Sequence, residues 1–174
     1  KEYALLMSTN AGAWRYLIGD TIKFTSKLRS EILITGRTKH FLSLCGEHLS
    51  VDNMNHAIAK IADEFNLVIN EYTVAGINYE GRFAHHWYLG VNKTTDNEKL
   101  RLRLDELLCE INDDYAVERK AALKEIFVDV LPIEVFKDWM RAKGKLGGSH
   151  KFPRVIKKAQ LEEWQNFIQQ QSTK

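Results

Sequence analysis

Short apolar runs alternate with turn residues over the first part of the chain, and longer runs at helical spacing take over after it. Tyr3 to Thr9 (YALLMST), Trp14 to Ile18 (WRYLI) and Thr21 to Thr25 (TIKFT) are β-prone, separated by Asn-Ala-Gly and Gly-Asp, the usual punctuation of tight turns. The pattern predicts an antiparallel meander. Ser30 to Thr35 (SEILIT) continues it as a strand that stops at Gly36. A basic, polar break, Arg37-Thr38-Lys39-His40, precedes the apolar run Phe41 to Cys45, and this places a joint between two bodies.

Gly46 to Leu49 (GEHL) reads as a brief extended segment. Ser50 is placed to cap a helix, because its hydroxyl can accept from an otherwise unpaired N–H of the first turn. Met54, Ile58, Ile61, Ala62 and Phe65 then form one continuous apolar face, which must pack on a sheet. Leu67 to Ala75 and Ala84 to Val91 supply strands, antiparallel and joined by a turn around Gly76 to Gly81. Asp96 opens a second helix through Leu100, Leu104, Leu107, Leu108 and Ile111, and Asp113 and Asp114 end it. Glu125 to Val130 is another strand. Pro132 starts a helix through Phe136, Trp139 and Met140 that Gly144 stops. A glycine-containing basic loop, Lys145 to Arg154, leads to a last, exposed helix from Gln160 to Gln171. The fold class this predicts is α+β: a short antiparallel meander, then a small mixed-sheet α/β sandwich with helices packed on the sheet. No internal repeat is visible.

Composition narrows the picture. With 174 residues, 44% of them hydrophobic and 28% charged, and only two prolines, the chain fits one or two compact domains and excludes disordered or collagen-like classes. A chain of this length buries about 70% of the surface its unfolded form exposes, so no structural metal or disulfide is needed. Cys45 and Cys109 lie far apart in apolar runs, without the spacing of a zinc site or redox pair, which favours a reducing, cytoplasmic setting and no metal site. No run reaches the ~20 apolar residues of a membrane span, and no signal-peptide layout is present. The opening Lys-Glu-Tyr, already strand-like, reads as a piece of something longer.

The net charge of +2 recommends no polyanionic partner by itself, but its distribution is lopsided. Asp96 to Glu118 holds eight acidic residues against three basic, and Lys137 to Lys158 eight basic against one acidic. Three polar constellations could carry chemistry. In Trp14-Arg15-Tyr16-Leu17-Ile18-Gly19-Asp20 a carboxylate stands at a turn after a strand, where it could accept from the hydroxyls of a vicinal diol such as a ribose. In Gly36-Arg37-Thr38-Lys39-His40, followed nine residues after Arg37 by Gly46-Glu47, the arginine offers a planar fork of donors and the lysine a point charge. In the Lys145 to Arg154 loop, glycines permit close backbone approach and a lysine could reach a phosphate. Each of the three, viewed alone, also fits an ordinary turn or a solvated loop. His85 and His86 are adjacent on a strand and point to opposite faces, which predicts a structural role.

Taken together, YALLMSTNAGAWRYLIGDTIKFTS, ILITGRTKHFLSLCGEHLSVDN, NDDY at Asn112 to Tyr115 and KGKLGGSHKFPR at Lys143 to Arg154 resemble the last third of the auxin-responsive (Gretchen Hagen) acyl-acid amido synthetases, in the adenylate-forming superfamily. The resemblance implies a two-step ligase. ATP with Mg2+ would adenylate a carboxylic acid, and an amino acid would then take the acyl group. It makes residues 1–36 the terminal β segment of a larger N-terminal adenylation domain, otherwise absent, and residues 37–174 a mobile C-terminal lid. By the same resemblance Asp20, Tyr16, Arg15 and Arg37 bind the nucleotide, Gly36, Lys39 and His40 form the hinge, and Lys151 is the catalytic lysine that reaches the α-phosphate. His48 stands where plant members can carry a phosphate-contacting lysine. The family's phosphate loop and acyl pocket would lie upstream, so this piece is expected not to turn over alone. Two other classes compete. One is a polyanion-binding module built on Lys137 to Lys158, against which the aromatics Trp139 and Phe152 are too sparse for a stacking platform; no nucleic-acid or membrane partner is expected. The other is a protein-interaction domain descended from the enzyme fold.

Overall fold

Two three-stranded sheets and a short ribbon organise the chain in this computed structural model, which describes residues 1–37, 41–42, 44–93, 95–145 and 151–172. Strands β1 (Glu2–Met7), β2 (Tyr16–Ser26) and β3 (Glu31–Arg37) form the first sheet, antiparallel in that order. The meander is present, but its second and third expected strands are one. Gly19-Asp20 does not turn the chain back. It forms an irregularity inside β2: Ala4 pairs with Thr21 and Leu6 with Leu17, so β2 carries extra residues over that stretch. Gly19 has φ +89°, which L side chains rarely adopt, and this lets the strand kink while β1 and β3 hold it on both sides.

A ribbon of β4 (Phe41–Leu42) and β5 (Leu49–Ser50) leads into the second part of the chain. Its sheet is mixed: β6 (Ile69–Tyr79) runs antiparallel to β7 (Arg82–Val91), and β8 (Leu123–Pro132) runs parallel to β7. Helices α1 (Val51–Glu64), α2 (Asn97–Ile111) and α3 (Asp113–Lys120) close one face around Met54, Ile58, Ile61, Leu100, Leu104 and Trp87. Helices α4 (Ile133–Ala142) and α5 (Lys158–Ser172) close the other around Phe136, Met140, Phe152 and Trp164. The alternation of a strand explains the division: Val74 belongs to the first core and Ala75 to the second.

Ser50 caps α1 as expected. Its hydroxyl accepts from the Asn53 N–H at 3.1 Å, and Asn53 Oδ1 accepts in return from the Ser50 N–H at 3.1 Å. Three further expectations are corrected, and one pairing is new. The turn between β6 and β7 is the pair Glu80-Gly81, so Gly76 lies inside β6. A Cβ there would stand 2.4 Å from Leu44 Cδ2, and the missing side chain is what lets Leu44 sit on the sheet. Asp113 and Asp114 do not end α2. Asn112 caps a separate helix by accepting from the Tyr115 N–H at 2.7 Å, and the two aspartates occupy that helix's first turn, where negative charge is favoured. Helix α5 is not merely exposed, since Trp164 is buried in the second core. Finally, residues 154–156 run parallel to β6: the Val74 N–H donates to Arg154 O at 2.9 Å and the Ile156 N–H to Val74 O at 3.0 Å. Among the described residues no helix is long and apolar enough to cross a membrane.

Candidate functional site

Asp20, in the irregular stretch of β2, shares the buried face of the strand with Ile22 and is only 9% exposed. It lies at a groove of about 330 Å3 lined also by Ile34, Thr35, Gly36, Val51, Asp52 and Asn55. The groove therefore joins the first sheet to the first turns of α1. Asp20 and Arg37 are register partners on β2 and β3, which places two of the expected nucleotide residues on neighbouring strands; the Arg37 side chain lies outside the described residues. Thr35 Oγ1 donates to Thr21 Oγ1 at 3.2 Å, tying the two strands together beside Gly36.

Tyr16 and Arg15 are elsewhere. Tyr16 pairs with Met7 at the start of β2 and is 57% exposed, while the Arg15 N–H donates to Ser8 Oγ at 3.1 Å; neither lines the groove. Lys39 and His40 lie outside the described residues. Lys151 is exposed on a second pocket, between α4 and α5, with Trp139, Lys143, Lys145 and Trp164. Among the described residues that pocket shares no lining residue with the Asp20 groove. His48 is exposed, its Nδ1 3.6 Å from Asp114 Oδ2.

Arg154, at the end of the Lys151 segment, is anchored more firmly than the sequence suggests. Its Nη1 donates to Glu71 Oε2 at 2.7 Å and to Tyr72 O at 3.1 Å, and its guanidinium lies over the Tyr72 ring, 4.3 Å from the centroid. The Tyr72 hydroxyl donates to Asn55 Oδ1 at 2.6 Å. Asn55 lines the Asp20 groove, so a chain of contacts runs from the Lys151 segment to that groove.

The pairing of Glu47 with His85 is absent from the sequence-based expectations. Glu47 is fully buried and accepts from the N–H groups of Leu44 (2.9 Å) and Cys45 (3.0 Å), while His85 Nε2 lies 2.9 Å from Glu47 Oε1. Burial pushes the Glu47 carboxyl up, but the bonds from His85 and from those backbone groups outweigh it and hold the carboxyl at about 2. Burial lowers His85 against the opposing pull of Glu47, so the ring is neutral and donates through Nε2. Its Nδ1 has no partner among the described residues. The pair clamps residues 44–47 onto β7. His86 faces the other way, with Nε2 2.9 Å from Asp129 Oδ2, so the two histidines do not act together. The available signal was an acidic residue flanked by apolar runs, which requires a buried partner.

Neither cysteine is poised for reaction. Burial, with Glu47 close by, pushes the Cys45 thiol up to about 12, and burial raises Cys109 as well. Among the described residues no group of three or more His, Cys, Asp or Glu side chains could hold a metal ion. The basic stretch is partly neutralised: Lys137 pairs with Glu134, Arg141 with Asp138, Lys143 with Glu163 and Arg154 with Glu71.

The sequence model of the GH3 family C-terminal domain matches residues 52–160, and that of the GH3 family central domain matches residues 1–31. No curated protein matches the chain. Among solved structures, a GH3.15 acyl acid amido synthetase superposes with a TM-score of 0.78 at 19% identity, over 97% of this chain and 33% of that one. The AtGH3.15 acyl acid amido synthetase in complex with 2,4-DB gives a TM-score of 0.78 at 18% identity, over 97% and 32%. The chain thus spans about a third of the length of these structures, and at such identities they establish the shared α+β fold. A family model that runs from the first turn of α1 into α5, over more than half of the residues, decides the affiliation: the chain belongs to the GH3 family.

Proposed function

We propose that this chain is the C-terminal portion of an ATP-dependent acyl acid amido synthetase that adenylates a carboxylic acid and passes the acyl group to an amino acid. The observation that carries the reading is the groove in which Asp20 and Gly36 meet the first turns of α1, since it lies between the regions matched by two GH3 domain models. Residues 1–36 then belong to a larger N-terminal body and residues 37–174 form the lid. Asp20 and Arg37 hold the ribose of ATP, with Mg2+ carried on its phosphates. Tyr16 and Arg15 serve the nucleotide from the outer end of β2, and Gly36, Lys39 and His40 make the pivot.

Lys151 is the catalytic group of this reading. Displacing pyrophosphate concentrates negative charge at the α-phosphate, and a lysine delivered in a water-poor site stabilises it. Among the described residues its pocket and the Asp20 groove share none, which supports a lid that moves between nucleotide capture and adenylation. The partial neutralisation of the basic stretch weighs against the rival polyanion-binding module. The intact enzyme would act in the cytoplasm, and this portion alone, lacking the phosphate loop, would be inactive.

The test is exchange of labelled pyrophosphate into ATP by the full-length protein, run against a panel of carboxylic acids. Acid-dependent exchange is expected, and its absence with every acid would sink the adenylation reading. Lys151→Ala should depress exchange by about two orders of magnitude or more while leaving ATP affinity close to wild type, as expected when only transition-state charge loses its partner.

A further inference from the structure

The Asp20 groove contains a donor that the resemblance does not supply. Among the described residues its charged lining groups are two carboxylates, Asp20 and Asp52, which would repel a phosphate and suit a neutral polyol. A polyol presents both donors and acceptors, and carboxylates satisfy only the donors. Asn55 is the lining residue with an amide. Its Oδ1 is taken by the hydroxyl of Tyr72, a buried phenol whose ring is stacked on Trp87 on one hand and carries the Arg154 guanidinium on the other. Burial raises the Tyr72 phenol, so its proton stays in place and continues to donate. With Oδ1 committed, the amide presents Nδ2, which has no partner among the described residues. Thr35 is already committed to Thr21 and adds no free donor of its own.

We infer that Asn55 is a further ligand-binding residue: its Nδ2 donates to a hydroxyl oxygen of a vicinal diol whose O–H groups are accepted by Asp20. Asp20 is engaged by other contacts as well, and a carboxylate's roughly four acceptor positions accommodate both. This deepens the reading of the groove as the place of the nucleotide's ribose and rests on it. Tyr72 is a positioning residue here, since it fixes which end of the amide faces the groove.

Calorimetric binding of ATP, 2′-deoxy-ATP and 3′-deoxy-ATP to the full-length protein tests the assignment. Asn55 is exposed, so Asn55→Ala should fold normally. It is expected to weaken ATP about three- to ten-fold, the range of one hydrogen bond, and to erase the wild-type preference for ATP over one of the two deoxy analogues. Tyr72→Phe should give a smaller loss of that same preference, because the amide is then free to turn. If Asn55→Ala keeps both affinity and preference while Asp20→Ala loses them, Asn55 is no ligand contact and the nucleotide site stands. Weakened affinity with an intact preference likewise overturns the direct contact. If Asp20→Ala also binds all three nucleotides as wild type does, the nucleotide reading of the groove fails with it.

Discussion

The two three-stranded sheets have similar strands and opposite surroundings. In the second, Val74, Trp87 and Leu89 are fully buried between helices; in the first, Leu6, Leu17, Leu33 and Ile34 are each more than half exposed. Both use the β-branched and aromatic residues that favour strands, so local preference does not separate them. What differs is whether a second layer covers the face, and burial under such a layer is what makes a sheet stable. An uncovered apolar sheet is a surface made for contact. In the proposed reading, its cover is the remaining body of a longer enzyme.

Substitution can test that contrast directly. Trp164→Ala, which empties a site in the second core, should reduce unfolding stability by about 3–5 kcal/mol in urea titrations. Glu47→Ala should cost about 3 kcal/mol by the same measurement, since it leaves His85 and two backbone N–H groups buried without their acceptor. A loss below about 1 kcal/mol would mean that the clamp contributes little to the packing around the second sheet. The clamp also predicts an acid limb. His85 is depressed below its ordinary 6.5 and Glu47 from 4.5 to about 2, so the unfolded chain takes up protons first in both cases. Stability should be full above about pH 6.5 and decline below it, with the Glu47 contribution lost between 4.5 and about 2. Glu47→Gln should flatten the lower part of that decline, and an unchanged pH profile would show that other carboxylates set it. Gly76→Ala should cost about 1–3 kcal/mol by forcing Leu44 off the sheet. Leu33→Ala, on the uncovered sheet, should change stability by less than about 0.5 kcal/mol in the 174-residue chain. A loss as large as that of Trp164→Ala would abolish the contrast.

The sequence was most legible where one local signal decided the outcome. The i, i+4, i+7 face of α1, the Ser50 cap and the Asp96 cap are all present, because periodicity and capping operate within a few residues. It was least legible where a distant strand or side chain overrode the local signal. Gly19-Asp20 has the residues of a turn, yet pairing to β1 and β3 keeps the chain extended through it. Gly76 resembles a turn glycine, and only the packing of Leu44 explains it. Asp113 and Asp114 looked like a helix end, although Asn112 before them starts a new helix. At the candidate site Asp20, Gly36 and the register of Arg37 come together, whereas Tyr16 and Arg15 stand apart from the groove and Lys151 occupies another pocket. The Glu47–His85 clamp spans 38 residues, and nothing in either local segment names the other.

The short parallel pairing of residues 154–156 with β6 bears on aggregation as well as on geometry. Strand β6 is an outer strand of its sheet, and an open outer strand is a template for association between copies. The tail of the loop that carries Lys151 shields part of that border. Losing that pairing would bare the Val74 main-chain groups, and with them this stretch of the border, to neighbouring molecules.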